Sequence, residues 1–149
     1  MNHIELRFSA LLQNESFARM AVSSFVSPAN PTVEELIEIK TMVSEAVSNA
    51  IIHGYKLDGS RDVYIKAYLS DKELTIIVQD YGEGIKDVQQ ALRGIYYEDA
   101  DTEHCGMGIT IMKTLASEFE IQSTEKLGTK VVMKKKLTIH ENALINENS

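Results

Sequence analysis

Polar and apolar residues alternate from His3 to Phe8, with Ile4, Leu6 and Phe8 on one side and His3, Glu5 and Arg7 on the other. A period of two predicts a short strand with one buried face. The period then lengthens: Asn14 can cap a helix whose apolar positions are Phe17, Met20, Ala21 and Phe25, before Pro28 and Pro31 punctuate a loop. Thr32 with Glu35 three places later forms a capping box, and Gly54 supplies a stop, so a long helix is predicted from about Val33 to His53. Two alternating runs follow, Val63, Ile65, Ala67 and Leu69, then Leu74, Ile76 and Val78, with Ser70-Asp71-Lys72 between them at hairpin length.

Beyond the second run the pattern breaks into glycines, at Gly82, Gly84 and Gly94 and again at Gly106 and Gly108. The acidic stretch between them, Glu98 to Glu103, is too polar to pack and reads as a mobile loop. Ile109 to Phe119 reads as a helix with Ile111, Met112, Leu115 and Phe119 inward. Ile121 to Thr124 and Thr129 to Lys135 read as a last hairpin about Lys126-Leu127-Gly128. After Leu137 the apolar pattern thins, which predicts one domain over 1–140 and a flexible tail over 141–149. The element order predicts a two-layer α/β (α+β) sandwich, a mainly antiparallel sheet with helices packed on one face.

Composition narrows the function classes. With 149 residues, 44% hydrophobic and 25% charged, the chain has the balance of one soluble globular domain. A net charge of −7 argues against a protein that grips nucleic acid through phosphates, but a nucleotide site needs only local donors. The one cysteine, Cys105, excludes an internal disulfide framework, and His3, His53 and His140 lack metal-ligand spacing. With no run long enough to span a membrane and no leader-like N-terminus, the expected location is the cytoplasm, without membrane attachment.

Three places carry candidate chemistry. In Met42 to Ile52 apolar residues cover most of the helix, while Ser44, Glu45, Ser48 and Asn49 fall on one narrow stripe. A single carboxylate among small uncharged polar groups reads as the wall of a polar cavity, with Glu45 as proton acceptor and Asn49 as a ligand on the same face. Asp80-Tyr81-Gly82-Glu83-Gly84 directly follows a strand, so the backbone can approach a ligand while Asp80 accepts from an amine such as that of adenine. Gly106-Met107-Gly108 stands before a helix and offers backbone N–H groups to phosphate, and Thr129 after Gly128 adds a hydroxyl.

In that order and context the chain resembles the nucleotide-binding (Bergerat-type, GHKL) fold shared by histidine kinases, type II topoisomerases, Hsp90 and mismatch-repair ATPases. Asn14 to Arg19, Ser44 to Tyr55 and Gly106 to Ile109 resemble the serine-kinase anti-sigma factors, most closely the sporulation members. That resemblance covers Ile4 to about Leu137. It implies that Asp80 binds the adenine amine with Gly82 and Gly84 close to the base, and that Asn49 helps hold Mg2+ between the phosphates of ATP. It implies that Gly106, Met107 and Gly108 wrap those phosphates, with Thr129 in the same pocket, and that Glu45 is the general base for a substrate serine. The implied partners are an anti-anti-sigma protein as substrate and a sporulation sigma factor, sigma F, as the bound target, with the chain itself a homodimer. Arg19 is a candidate partner contact.

The sequence departs from the family in the segment before Gly106. Relatives carry Thr, Lys and Arg there; here stand Tyr96-Tyr97-Glu98-Asp99 and Thr102-Glu103-His104-Cys105, with His104 at an arginine position. Glu98, Asp99, Asp101 and Glu103 repel phosphate, and Lys113 in the next helix is the nearest substitute, though it reads as a surface lysine. An alternative function follows: an anti-sigma binding module with weak or no kinase activity. A histidine-kinase catalytic domain predicts an upstream helical hairpin, and a topoisomerase-like or Hsp90-like ATPase a further coupling domain; both fit this chain less well.

Overall fold

The computed structural model describes residues 1–93 and 100–139, with residues 100–105 as backbone only. Five strands, β1 (Asn2–Ser9), β2 (Asp62–Ser70), β3 (Glu73–Asp80), β4 (Glu118–Thr124) and β5 (Gly128–Lys136), form one sheet in the order β1-β2-β3-β5-β4. Every neighbouring pair is antiparallel. Helices α1 (Gln13–Val26), α2 (Val33–Asn49) and α4 (Ala100–Leu115), with the short α3 (Val88–Leu92), cover one face. The two-layer antiparallel sandwich expected from the alternation is therefore the fold.

The strands pair because their alternation gives each of them one apolar face, and the register brings those faces together. Leu6 lies opposite Ile65, Ile65 opposite Val78, and Val78 opposite Val131. Ile65, Ala67, Leu74, Ile76 and Met133 are almost completely buried against Ile39, Met42 and Val43 of α2 and Met112 of α4. The same parity carries Asp80 inward at the end of β3, opposite Thr129 of β5. It also carries Lys135 inward, where its Nζ donates to Glu38 Oε2 of α2 (2.9 Å) and to the Leu115 carbonyl at the end of α4 (2.6 Å).

The capping box forms as the sequence predicts: Thr32 Oγ1 accepts from the Glu35 N–H and Glu35 Oε1 accepts from the Thr32 N–H. Glu35 is buried, and its second oxygen accepts from the N–H and hydroxyl of Thr138, tying the segment after β5 to the start of α2. The long helix continues past Asn49 as a π-helical turn over Ala50–Gly54.

Three expectations need correction. In α1 the buried stripe is Ala18, Val22, Phe25 and Val26, whereas Phe17 and Met20 are more than half exposed. Apolar residues fill half of this helix and fall in two overlapping phases, and the small residues win because α1 packs tightly on α2. The last helix ends at Leu115, and Phe119 packs on the core from β4; Ile111 lies at the surface rather than inward. Residues 100–103 of the expected mobile loop are helical, the rest of that loop and the tail from residue 140 lying outside the described residues.

Candidate functional site

A cleft opens between α2, α4 and the ends of β3 and β5. Ala46, Asn49 and Ala50 form one wall, Ile109 another, Asp80 and Thr129 the floor, and Gly84 with Ile85 the rim. It holds about 390 Å³ of empty space, counted out to the solvent at its open mouth. Its walls are mostly apolar, with few polar groups.

Asp80 is the most buried acid of the cleft, 4% exposed. Burial pushes its carboxyl up to about 6, against opposing hydrogen bonds from the backbone of Gly82 and Thr129 and the charge of Arg61. The Gly82 N–H donates to Asp80 Oδ1 at 3.0 Å. At neutral pH the group is an ionised acceptor that lacks full hydration, poised to take a donor from a ligand.

The turn that follows Asp80 is held by residues that the sequence reading did not single out. A Cβ on Gly82 would stand 2.0 Å from the carbonyl oxygen of Gly54, and one on Gly54 would stand 2.7 Å from Asp80 Oδ1. The end of the α2 segment and the start of the glycine loop are thus in backbone contact, and the Glu83 N–H donates to the Gly54 carbonyl at 2.7 Å. Tyr55 donates its hydroxyl proton to the Asp62 carbonyl (2.6 Å) and accepts from the Tyr81 N–H (2.8 Å). Arg61 lies over the Tyr55 ring and donates to the Tyr81 carbonyl. On the other side the Ser123 hydroxyl accepts from the Ile85 N–H (2.7 Å) and hydrogen-bonds Thr129 Oγ1 (2.8 Å). Gly54 and Tyr55 stood in the sequence only as a helix stop and as the end of the Ser44–Tyr55 resemblance; Arg61 and Ser123 leave no local signal, because their partners are distant in the chain.

The stripe on α2 is half-buried along Ser44, Glu45, Ser48 and Asn49, while Met42, Val43, Ala46 and Val47 are buried. Glu45 and Asn49 face Gly108 of α4. A Cβ built there would lie 2.9 Å from Glu45 Oε2 and 3.1 Å from Asn49 Oδ1. Burial raises the Glu45 carboxyl above its ordinary range, and the charge of Glu15 on α1 adds to the effect. Asn49 Oδ1 is a hard oxygen donor of the kind Mg2+ takes while keeping most of its waters, and Gly108 of α4 stands against it and against Glu45. Among the described residues no cluster of three or more His, Cys, Asp or Glu could hold a metal by itself.

The structure therefore brings Asn49, Asp80, Gly84 and Thr129 together in the cleft, with Glu45 and Gly108 beside it and Gly82 behind Asp80. It differs at Gly106-Met107-Gly108, which lie inside α4 and not before it. Gly106 and Gly108 are buried, and the Thr110 hydroxyl donates back to the Gly106 carbonyl at 2.9 Å. A glycine weakens a helix interior by about 1 kcal/mol relative to alanine. Here its missing side chain lets α4 lie directly against Glu45 and Asn49. Met107 is 45% exposed and does not line the cleft. Lys113 is exposed; Glu98 and Asp99, and the side chains of Asp101, Glu103, His104 and Cys105, lie outside the described residues.

A family described as the histidine kinase-like ATPase domain matches residues 8–135. A protein named anti-sigma F factor from Shouchella clausii is 50% identical over 92% of this chain and 94% of its own length. One of the same name from Clostridium novyi is 49% identical over 91% of this chain and 95% of its own, and one from Priestia megaterium 47% over 97% and 99%. Among solved structures, the RsbU and RsbW domains of a Mycobacterium tuberculosis protein superpose with a TM-score of 0.68 at 18% identity, over 94% of this chain and 34% of that one. The SiaB–SiaC complex from Pseudomonas aeruginosa gives 0.61 at 11%, over 88% of each chain. The two structures share the fold.

Proposed function

This chain belongs to the anti-sigma F factors, within the histidine kinase-like ATPase domains, and from that premise we propose that it is an ATP-dependent serine kinase that also sequesters a sigma factor. The observation that carries the reading is the convergence on one cleft of a buried acceptor, Asp80, and the α2 face bearing Asn49, with Glu45 one turn away.

Asp80 accepts a hydrogen bond from the exocyclic amine of adenine, which returns to its carboxylate the donor that burial withholds. Thr129 offers its hydroxyl beside the base, and Gly84, packed against the Thr124 carbonyl, lines the cleft without a side chain. Asn49 would hold Mg2+, which when bound would offset the charge of the phosphates. Glu45 takes the proton of the substrate serine as its oxygen attacks the γ-phosphorus and ADP leaves; its raised pKa makes it a better acceptor at that moment. Contact of phosphate with the N–H groups of Gly106 and Gly108 requires α4 to open there, at its two weakest helical positions. The substrate is the anti-anti-sigma protein and the sequestered target is sigma F, with the chain acting as a homodimer.

A second reading, a sequestering module that does not phosphorylate, is favoured by α4 running as a helix through both glycines and over Glu45. Fluorescent-nucleotide titration with Mg2+ separates the roles. Wild type and Glu45→Gln bind ATP alike, whereas Asp80→Asn binds at least about tenfold more weakly, roughly the 1.4 kcal/mol or more of one charge-assisted hydrogen bond. Equal binding by Asp80→Asn would remove the adenine assignment.

A further inference from the structure

The polar stripe on α2 has a partner that the phosphoryl-transfer scheme does not use. Ser44, the residue before Glu45, donates its hydroxyl proton to Glu15 Oε1 in the first turn of α1. The same Glu15 oxygen lies 3.8 Å from Arg19 Nε, one turn along α1. Glu15 is 19% exposed at its side chain and Arg19 37%, so the three groups form a half-buried chain across the α1–α2 contact, level with Glu45.

A carboxylate in the first turn of a helix needs no partner on another helix to be favourable, since the helix dipole alone stabilises it. Aiming it at Ser44 is a choice with a disadvantage, because it brings a second negative charge close to Glu45. Elsewhere α1 meets the core through Ala18, Val22 and Val26, which hold the helices together without help from Glu15. The described groups around Glu45 supply no other hydrogen bond that fixes the rotation of α2 about its axis at this level. Gly108 on α4 has no side chain, and Thr41 of α2 turns its hydroxyl to the Ile37 carbonyl.

We propose that Glu15 is a positioning residue for Glu45: by accepting from Ser44, and being held by Arg19, it fixes the α2 stripe so that the base faces the serine to be phosphorylated. The inference rests on the assignment of Glu45 as that base. In the transfer step the serine oxygen bonds to the γ-phosphorus, the bond to the β–γ bridging oxygen breaks, ADP leaves, and the serine proton goes to Glu45. Glu15 touches none of these atoms. It acts through Ser44, and a small rotation of the stripe is enough to misplace the base.

The test is single-turnover transfer from Mg-ATP to the anti-anti-sigma protein by the full chain, with nucleotide affinity measured in parallel. Glu15→Ala is expected to lower the transfer rate about tenfold or more while ATP affinity stays within about twofold, a split that general loosening of α2 would not give because Asn49 lies one turn away. Glu15→Gln keeps an acceptor oxygen and restores the rate; Ser44→Ala reproduces the loss, and Glu15→Ala/Ser44→Ala is no worse than either alone. Transfer at the wild-type rate by Glu15→Ala, or no recovery in Glu15→Gln, overturns the proposal. If Glu15→Ala fails to fold, Ser44→Ala decides by the same criteria. Glu45→Gln run alongside separates the two claims: a fully active Glu45→Gln removes the base assignment, whereas an inactive Glu45→Gln with a fully active Glu15→Ala removes only the role of Glu15.

Discussion

Asp80 combines a use and a penalty in one side chain. Its folded carboxyl sits at about 6 and its ordinary value is 3.8, so the folded state holds the proton more tightly than the unfolded chain does. Stability therefore declines as pH rises from about 4 to about 6, and the full penalty, at most about 3 kcal/mol, is present at pH 7. Asp80→Asn should stabilise the nucleotide-free protein by about 1–2 kcal/mol in urea unfolding at pH 7, with the gain fading near pH 4. Equal unfolding midpoints at both pH values would contradict the burial account. In wild type, ATP affinity should fall about tenfold between pH 7 and pH 5, as protonation removes the acceptor. Gly54 gives a companion test: Gly54→Ala drives a methyl to within 2.7 Å of Asp80 Oδ1, and loss of nucleotide binding with the fold retained by circular dichroism is the expected result. The positions of Asp80, at a strand end, and Glu45, in a stripe of small uncharged polar residues, were legible in the sequence. The roles of Tyr55, Arg61 and Ser123 were not, because what matters about them is a contact across the fold.

At the scale of elements, the strands and α2 were read correctly where two local signals agreed. Alternation fixed which face of β2 and β3 turns inward, and the capping box fixed the start of α2; Thr32→Ala should lower stability by about 1 kcal/mol in urea unfolding, and no change would mean that Thr138 alone restrains Glu35. Helix α1 misled because bulky Phe17 and Met20 looked like core, whereas the tight α1–α2 contact selects Ala18 and Val22. Helix α4 misled for a different reason. Two glycines read as a loop before a helix, but both are inside one, and their function there is close approach. Gly108→Ala sets helix propensity against space: it favours the helix by about 1 kcal/mol while placing a methyl 2.9 Å from Glu45 Oε2. The expected outcome is nearly unchanged stability with transfer reduced at least about tenfold; undiminished transfer would show that α4 does not approach Glu45 during the reaction.

Across the whole molecule, the sheet supplies the floor, α2 the polar stripe, and α4 a cover over both. Polar ties hold these layers at the ends of the elements, Lys135 to Glu38 and the end of α4, Thr138 to Glu35 at the start of α2. The apolar faces meet between them. The net charge of −7 agrees with a protein whose partners are proteins and a nucleotide, and among the described residues no helix is long and apolar enough to cross a membrane. The central claim is that this cleft transfers phosphate to a protein serine. The intact mass of the anti-anti-sigma protein, after incubation with this chain and Mg-ATP, tests it most directly. One added phosphate, absent when Glu45→Gln replaces wild type, is the predicted result. An unchanged mass, with the sigma factor still captured from the same mixture, would contradict the kinase and leave a protein that only sequesters.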